Sequence, residues 1–480
     1  MTAMLRRKTI VAPEDRPAHH QMARTLGWPH LMALGVGAIV GTGILTLIGV
    51  GAGMAGPAVL LSFAIAGAIC ACAALAYAEM ASMMPAAGSA YTYSYAVLGE
   101  VFAWVVGWSL ILEYSLVVST VAVGWSGYAV GFLRGLGVVP PDMLTHGPVF
   151  TGHLWGGSFQ LVSMGVNVPA ILIIAIVAGL LMLGTRESAW LNTILVLVKI
   201  TTLALFVFVA FPHFDAGNLE PFMPFGFGKS IGADGAERGV MAAAAIIFFA
   251  FYGFDAISTA AEEAKNPERD LAIGIVGSML ACTLIYIVVS AAAVGAVYFA
   301  DFSGSAEPLA LILRKINEPG VAKIVGAAAV IALPTVVLAF LYGQSRIFLV
   351  VARDGFLPPA LAKISPRGTP VRITVLTAIF VSIFAGLVPL KEIAALANSG
   401  TLCAFIAVAL CMLILRKRAP DARRPFRTPA AWVVGIGAIL GCLYLFASLS
   451  LFTQISFVVW NGLGLIVYFA YGMARSLARG

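Results

Sequence analysis

Charge is what this chain lacks most. Asp, Glu, Lys and Arg make up only 11% of its 480 residues, where soluble domains carry about 25%. A soluble fold of this length has to coat itself with polar side chains, and too few are present. A water-soluble globular protein and a disordered one are therefore both excluded. Alternation of apolar and polar residues is also missing, which excludes a membrane β-barrel. The apolar residues, 61% of the chain, run on almost unbroken, as in Ile171 to Leu183 and Leu284 to Val297. Such runs are membrane-spanning α-helices.

Further absences narrow the function. The six cysteines, Cys70, Cys72, Cys282, Cys403, Cys411 and Cys442, form no CxxC pair and sit in or beside apolar runs, as small buried hydrophobes do. A net charge of +7 comes without any basic stripe interleaved with aromatics, so no nucleic-acid partner is expected. No Ser/His/Asp set and no HExxH motif is found, and His19 and His20 have no second ligand pair at metal spacing. Gly228-Lys229-Ser230 imitates the end of a P-loop, but Met223 stands where its first glycine belongs. The Gly35-Val-Gly37-Ala-Ile-Val-Gly41 run misses a dinucleotide fingerprint by one residue and follows no strand. Neither an enzyme nor a cofactor or metal is expected.

What is present is a series of twelve apolar segments: 31–55, 57–84, 99–133, 168–184, 188–211, 239–262, 271–298, 321–352, 370–388, 391–415, 431–452 and 455–474. The polar first thirty residues hold Arg6, Arg7, Lys8, Arg16 and Arg24 and have no apolar core, so they read as a cytoplasmic tail and not a cleavable signal. Lys and Arg then fall mainly on the side of that tail. Arg186, Lys265, Arg269, Arg353, Lys363, Arg367, the Arg416–Arg427 cluster, Arg475 and Arg479 lie there, against Arg134, Lys229, Arg238, Arg314, Lys315 and Lys391 opposite. The positive-inside rule places both termini in the cytoplasm of a cell whose inner membrane the chain spans. The link 134–167, with Pro140, Pro141 and Pro148, is then an external loop.

Two of these segments are interrupted. The first carries Gly35, Gly37, Gly41, Thr42 and Gly43, and the sixth carries Gly253 followed by Asp255. Glycine inside a helix costs about 0.8–1 kcal/mol relative to alanine, so each is a point of unwinding. Matched interruptions in two halves of a chain point to a transporter binding site. Unwinding frees N–H groups that hold a carboxylate and carbonyls that hold an ammonium. A zwitterion satisfies both, so the backbone alone suggests an α-amino acid. Glycines also serve as packing notches between membrane helices, which accounts for Gly35, Gly37, Gly49 and Gly107.

Ionisable residues inside the spans are the other signal. Lys199 lies about two turns into the fifth segment, too deep to snorkel, and is read as a site lysine that replaces a bound cation or releases a proton. Glu113, in the third, could accept a proton, pair with Lys199, meet a basic substrate, or serve as a structural carboxylate bonded to backbone. Asp255 is expected to cap its half-helix. Glu79 and Arg346, near inner ends, read as interfacial anchors.

Four blocks in order carry a family resemblance: Gly37-AIVGTGI-Leu45, Tyr77-AEMASMMPAAGSAYTYSYAVLGE-Val101, Gly253-FDAISTAAEEAKNPERDLAIGI-Val276 and Tyr342-GQSRIFLVVARDGFLP-Pro359. On these the chain resembles the amino acid–polyamine–organocation superfamily, and within it the bacterial permeases similar to cationic amino acid transporters. The resemblance implies an all-α LeuT-like fold: a five-plus-five inverted repeat, here 31–211 and 239–415, plus two C-terminal helices over 431–474, with a 475–480 tail. It implies that Gly41, Thr42 and Gly43 hold the substrate carboxylate. Carbonyls near Ala38, Ile39, Val40, Phe251 and Tyr252 would hold the ammonium. Phe251 and Ile257, with Leu333 of the eighth segment and possible reach from Glu113, would border the side chain. Lys199 matches a lysine that fills the second-sodium position in proton-coupled and sodium-independent members. Pro334 departs from the expected pattern in a stretch that helps set selectivity, so a relative's preference does not transfer.

The expectation is thus a secondary transporter that imports L-amino acids, small or neutral ones favoured and cationic ones possible, by alternating access with protons. Lys199, with Glu113, would carry the coupling. The rivals are a sodium-independent exchanger and a sensor that binds amino acid without moving it. The expected partners are the amino acid, protons and the bilayer; the sequence does not fix an oligomeric state.

Overall fold

The computed structural model describes residues 6–7, 26–85, 88–151, 160–183, 189–232, 235–362, 370–473 and 475. Most of the expected tail, with Arg16, His19, His20 and Arg24, lies outside the described residues, as do Arg186, Lys363, Arg367 and Arg479 and the side chain of Arg346. The described chain is almost entirely helical, with two short antiparallel hairpins, Val149–Thr151 with Gln160–Ser163 and Ser230–Ile231 with Glu237–Arg238. Among the described residues, ten segments are by length and composition apolar enough to cross a membrane, and Val168–Met182 and Val371–Leu387 are shorter apolar helices.

The first expected segment is three helices: α1 (Trp28–Ile39), α2 (Thr42–Leu45) and α3 (Leu47–Ala55). Gly56, left-handed at φ +67, and Pro57 then turn the chain into α4 (Val59–Met83). The short α5 (Ser89–Val97) precedes α6 (Glu100–Gly135), followed by α7 (Val168–Met182) and α8 (Ala189–Ala210). The sixth segment is again broken, into α9 (Val240–Ile247), a 3-10 turn over Phe248–Phe251, and α10 (Phe254–Thr259). Next come α11 (Pro267–Ala296), α12 (Pro308–Lys315), α13 (Pro319–Arg353), α14 (Val371–Leu387) and α15 (Leu390–Arg418). The chain closes with α16 (Ala431–Ser448) and α17 (Leu451–Val467).

Helices of the two halves pack on each other: α4 on α11, α6 on α13 and α7 on α14, each on its counterpart, and α1 on α10. The broken helices sit at the centre: α9, its 3-10 turn and residues 36–49 of the first segment are buried throughout. By contrast, α16 and α17 are peripheral and keep exposed faces of large apolar residues such as Leu440 and Val458.

Small residues set how close the helices come. Gly35 admits Ile257 and Ser278, Gly49 admits Phe302 and Pro308, and Gly107 admits Tyr91, so these three are packing notches. Glu79 requires a correction. It is not an interfacial anchor but is 1% exposed near the C-terminal end of α4, and Arg416 grips it with Nε to Oε1 at 2.8 Å and Nη2 to Oε2 at 2.6 Å. The Thr428 N–H adds a 2.8 Å bond and Arg424 approaches within 3.3 Å. This clamp fastens the segment after α15 to α4.

Candidate functional site

The first break falls between Val40, the C-cap of α1, and Gly41, which is extended at φ −158. Nothing on a side chain caps the start of α2. The hydroxyls of Thr42 and Thr46 are buried and have no hydrogen-bond partner. Carbonyls on the α1 side are served from other helices. Tyr286 of α11 donates to Ile39 O at 2.8 Å, and Lys199 Nζ of α8 donates to Gly37 O at 2.8 Å. Past the break, Tyr128 of α6 donates to Leu45 O at 2.6 Å.

The sixth-segment break is organised around a left-handed residue. Gly253 has φ +113, a conformation that strains any residue with a Cβ. Asp255 Oδ1 accepts the Gly253 N–H at 3.2 Å and its Oδ2 accepts the Tyr114 hydroxyl at 3.2 Å, so Asp255 braces the turn into its half-helix from within, and no side chain caps that helix. On the other side of the break, Asn398 of α15 donates Nδ2 to Ala245 O at 2.6 Å and Ile246 O at 3.1 Å, while its Oδ1 accepts the Tyr252 hydroxyl.

The two breaks are in contact. A methyl at Gly253 would stand 2.6 Å from Ala38 Cβ and 2.9 Å from Ile39 N. A methyl at Gly43 would run into the Ala250 backbone. The α13 helix closes over them: a methyl at Gly41 would lie 3.5 Å from Val336 Cγ2 and 3.9 Å from Leu333 Cδ2. On α6, Gly124 leaves room for Thr42. Beside the break a small cavity is lined by Val40, Leu45, Lys199, Thr202, Leu203, Ala328, Ala329 and Ala332, so the ammonium of Lys199 sits among apolar walls. An uncapped helix start with two unpartnered hydroxyls and a buried lysine ammonium a turn away are groups that can accept an anion.

The chain matches the amino acid permease family over residues 26–474. It belongs to that family. It is 44% identical over 456 residues to the branched-chain amino acid permease BcaP of Bacillus subtilis, covering 95% of this chain and 94% of the relative. To the methylthioribose transporter of the same organism it is 39% identical over 479 residues, 99% of each chain. To the vacuolar cationic amino acid transporter 2 of Arabidopsis thaliana it is 36% identical over 426 residues, 87% of this chain and 64% of that one. The protein is therefore a multi-pass membrane transporter of the LeuT-like fold and not an enzyme.

Within the permease, the residues expected at the site separate. Ala38, Ile39, Val40, Gly41, Thr42, Gly43, Leu333 and Lys199 come together around the first break. Ile257 does not join them; its side chain fills the notch at Gly35, against Gly274 of α11. The ring of Phe251 turns towards α4 and α11, edge-on to Phe63 and Tyr286 at 6.4 and 5.3 Å between centroids. Glu113 is 1% exposed and neither carboxylate oxygen has a hydrogen-bond partner, so it neither pairs with Lys199 nor bonds to backbone. It packs against Gly400 of α15, within electrostatic reach of Asp255 and Tyr252.

Sequence reasoning missed Asn398, Tyr286, Tyr128 and Val336. Asn398 had a signal, an amide in mid-span that must find partners in a bilayer. The tyrosines had none, because a tyrosine in an apolar run reads equally well as core.

Proposed function

We propose that this permease imports neutral L-amino acids with aliphatic side chains across the cytoplasmic membrane, by alternating access and in symport with protons. The observation that carries the reading is the uncapped start of α2 with the buried, unpartnered Thr42 hydroxyl, set against the apolar Leu333 and Val336. The substrate carboxylate takes the N–H groups of Gly41, Thr42 and Gly43. Its ammonium takes carbonyls of Ala38, Ile39, Val40, Phe251 and Tyr252, with Ile39 O shared with Tyr286. Leu333 and Val336 favour an uncharged side chain, in keeping with the branched-chain name of one relative. Both termini are cytoplasmic on the distribution of Lys and Arg, and the two repeats run over 31–211 and 239–415.

Lys199 is the coupling residue. Its bond to Gly37 O ties α8 to the inner half of the first segment. Loss of its proton would remove the charge from an apolar wall and loosen that tie, so protonation and helix position are linked. Glu113, a buried carboxylate beside Thr401 and Asp255, is the second proton-holding group.

The test is uptake of labelled leucine, alanine and arginine into proteoliposomes with empty lumens, an inside-alkaline pH gradient and no sodium. Concentrative uptake of leucine over arginine is the expected result, and excess methylthioribose should not compete. Uptake only after preloading with amino acid would replace the symporter with an exchanger. Binding without flux would make the protein a sensor. Lys199→Ala should abolish accumulation driven by the gradient, and pH-dependent uptake unchanged in that variant would sink its coupling role.

A further inference from the structure

We propose that Trp125 sets the permease's side-chain selectivity by locking the proline kink of α13 over the first break. The proposal rests on the assignment of Gly41–Gly43 to the substrate carboxylate. Pro334 lies inside α13 and has no N–H, so the Val330 carbonyl one turn earlier loses its helical donor. A carbonyl left unpaired inside a membrane protein is costly, and a neighbouring side chain has to serve it. Trp125 does so: its indole Nε1 donates to Val330 O at 2.9 Å.

The position of Trp125 gives that bond a second consequence. Gly124, its neighbour on α6, is the residue whose missing side chain makes room for Thr42. One turn of α6 therefore touches both the threonine of the carboxylate site and the kink of α13. Leu333 and Val336 flank Pro334, and both reach the space beside Gly41. The angle at Pro334 sets how far these two side chains stand from the break, and the indole bond fixes that angle. Trp125 is thus a positioning residue: it shapes the slot for the substrate side chain through α13.

Three variants test this: Trp125→Phe, Pro334→Ala and the double variant. Replacing the proline with alanine restores an N–H for Val330 O, straightens α13 and moves Leu333 and Val336 away from Gly41. Pro334→Ala should shift the ratio of KM for leucine to KM for alanine by about fourfold or more, roughly the worth of one buried methylene, while kcat holds. Trp125→Phe should shift the ratio and also lower the Tm, because the carbonyl loses its partner. In the double variant the Tm should recover, since the helix bond replaces the indole, and the ratio should stay shifted. An unchanged ratio in Pro334→Ala, or a double variant no more stable than Trp125→Phe, overturns the proposal. If Trp125→Phe alone fails to fold, a folded double variant is the same rescue, and its absence is the same refutation. Failure of the wild type to take up any amino acid would instead overturn the substrate assignment, and with it the selectivity role.

Discussion

The two broken segments are built alike but finished differently. At the sixth, both sides of the break are served by protein: Asn398 takes the carbonyls of Ala245 and Ile246, and Asp255 takes the N–H of Gly253. At the first, only acceptors are served, Gly37 O by Lys199, Ile39 O by Tyr286 and Leu45 O by Tyr128. No side chain caps the start of α2, and the Thr42 and Thr46 hydroxyls are left over. An unpaired polar group inside a membrane protein carries a cost of about 1–3 kcal/mol. On the proposed reading, the hydroxyls left without partners at the first break make it the side that receives the carboxylate, while the sixth break lends carbonyls to the ammonium and support.

The sharpest way to break this comparison is to force the two breaks apart. In Gly43→Ala the new methyl collides with the backbone at Ala250, which has no side-chain end to move aside. Overpacking of this kind costs about 1–3 kcal/mol, and at the point of contact leucine uptake should fall at least about tenfold at equal expression. Uptake at the wild-type level would show that the two breaks need not touch in the working cycle. Next in size is Asn398→Leu, which strips the supporting break of three bonds. Tm should drop by the equivalent of about 2–4 kcal/mol, while KM of whatever folds moves less. A variant with normal Tm but lost binding would transfer Asn398 from support to site.

How much of this could be read from residues alone depends on the distance over which a partner acts. The breaks were legible because Gly41, Thr42 and Gly43 are adjacent, and because Gly253 and Asp255 lie two apart and bond to each other locally. Partners from remote helices were not. Glu79 is bonded to an arginine 337 residues away, so along the chain it shows only a carboxylate near a span end. The facing of Ile257 depends on where α10 starts after a left-handed glycine, and no periodicity runs through such a turn. Pro334 stood out in the sequence, but the indole that answers it is on another helix, 205 residues from the carbonyl it serves.

Thr42 sharpens the comparison from the other side. Its hydroxyl has no protein partner, while its methyl fills the notch at Gly124, so Thr42→Val removes a hydroxyl that the fold does not use and keeps the packing. Tm should stay within error while KM for leucine rises about tenfold, the worth of one hydrogen bond to a charged group, and Thr42→Ser should recover most of the affinity. A fall in Tm without a change in KM would mean that the hydroxyl serves the fold instead.

The smallest effect is expected at Tyr286→Phe. The hydroxyl lost there donates to Ile39 O, a carbonyl with two lone pairs, of which the reading gives the second to the substrate ammonium. Losing the bond should cost about 1 kcal/mol of stability. Binding should barely move, because the ring still packs between Phe63 and Phe251 and the carbonyl keeps its place. Thermal melts with and without leucine separate the two cases. A lower Tm with an unchanged ligand-induced shift keeps Tyr286 among the groups that finish the break. A lost shift would mean that Tyr286 holds Ile39 O in the orientation the ammonium needs, and that acceptors at the first break are tuned for the ligand as much as its donors are.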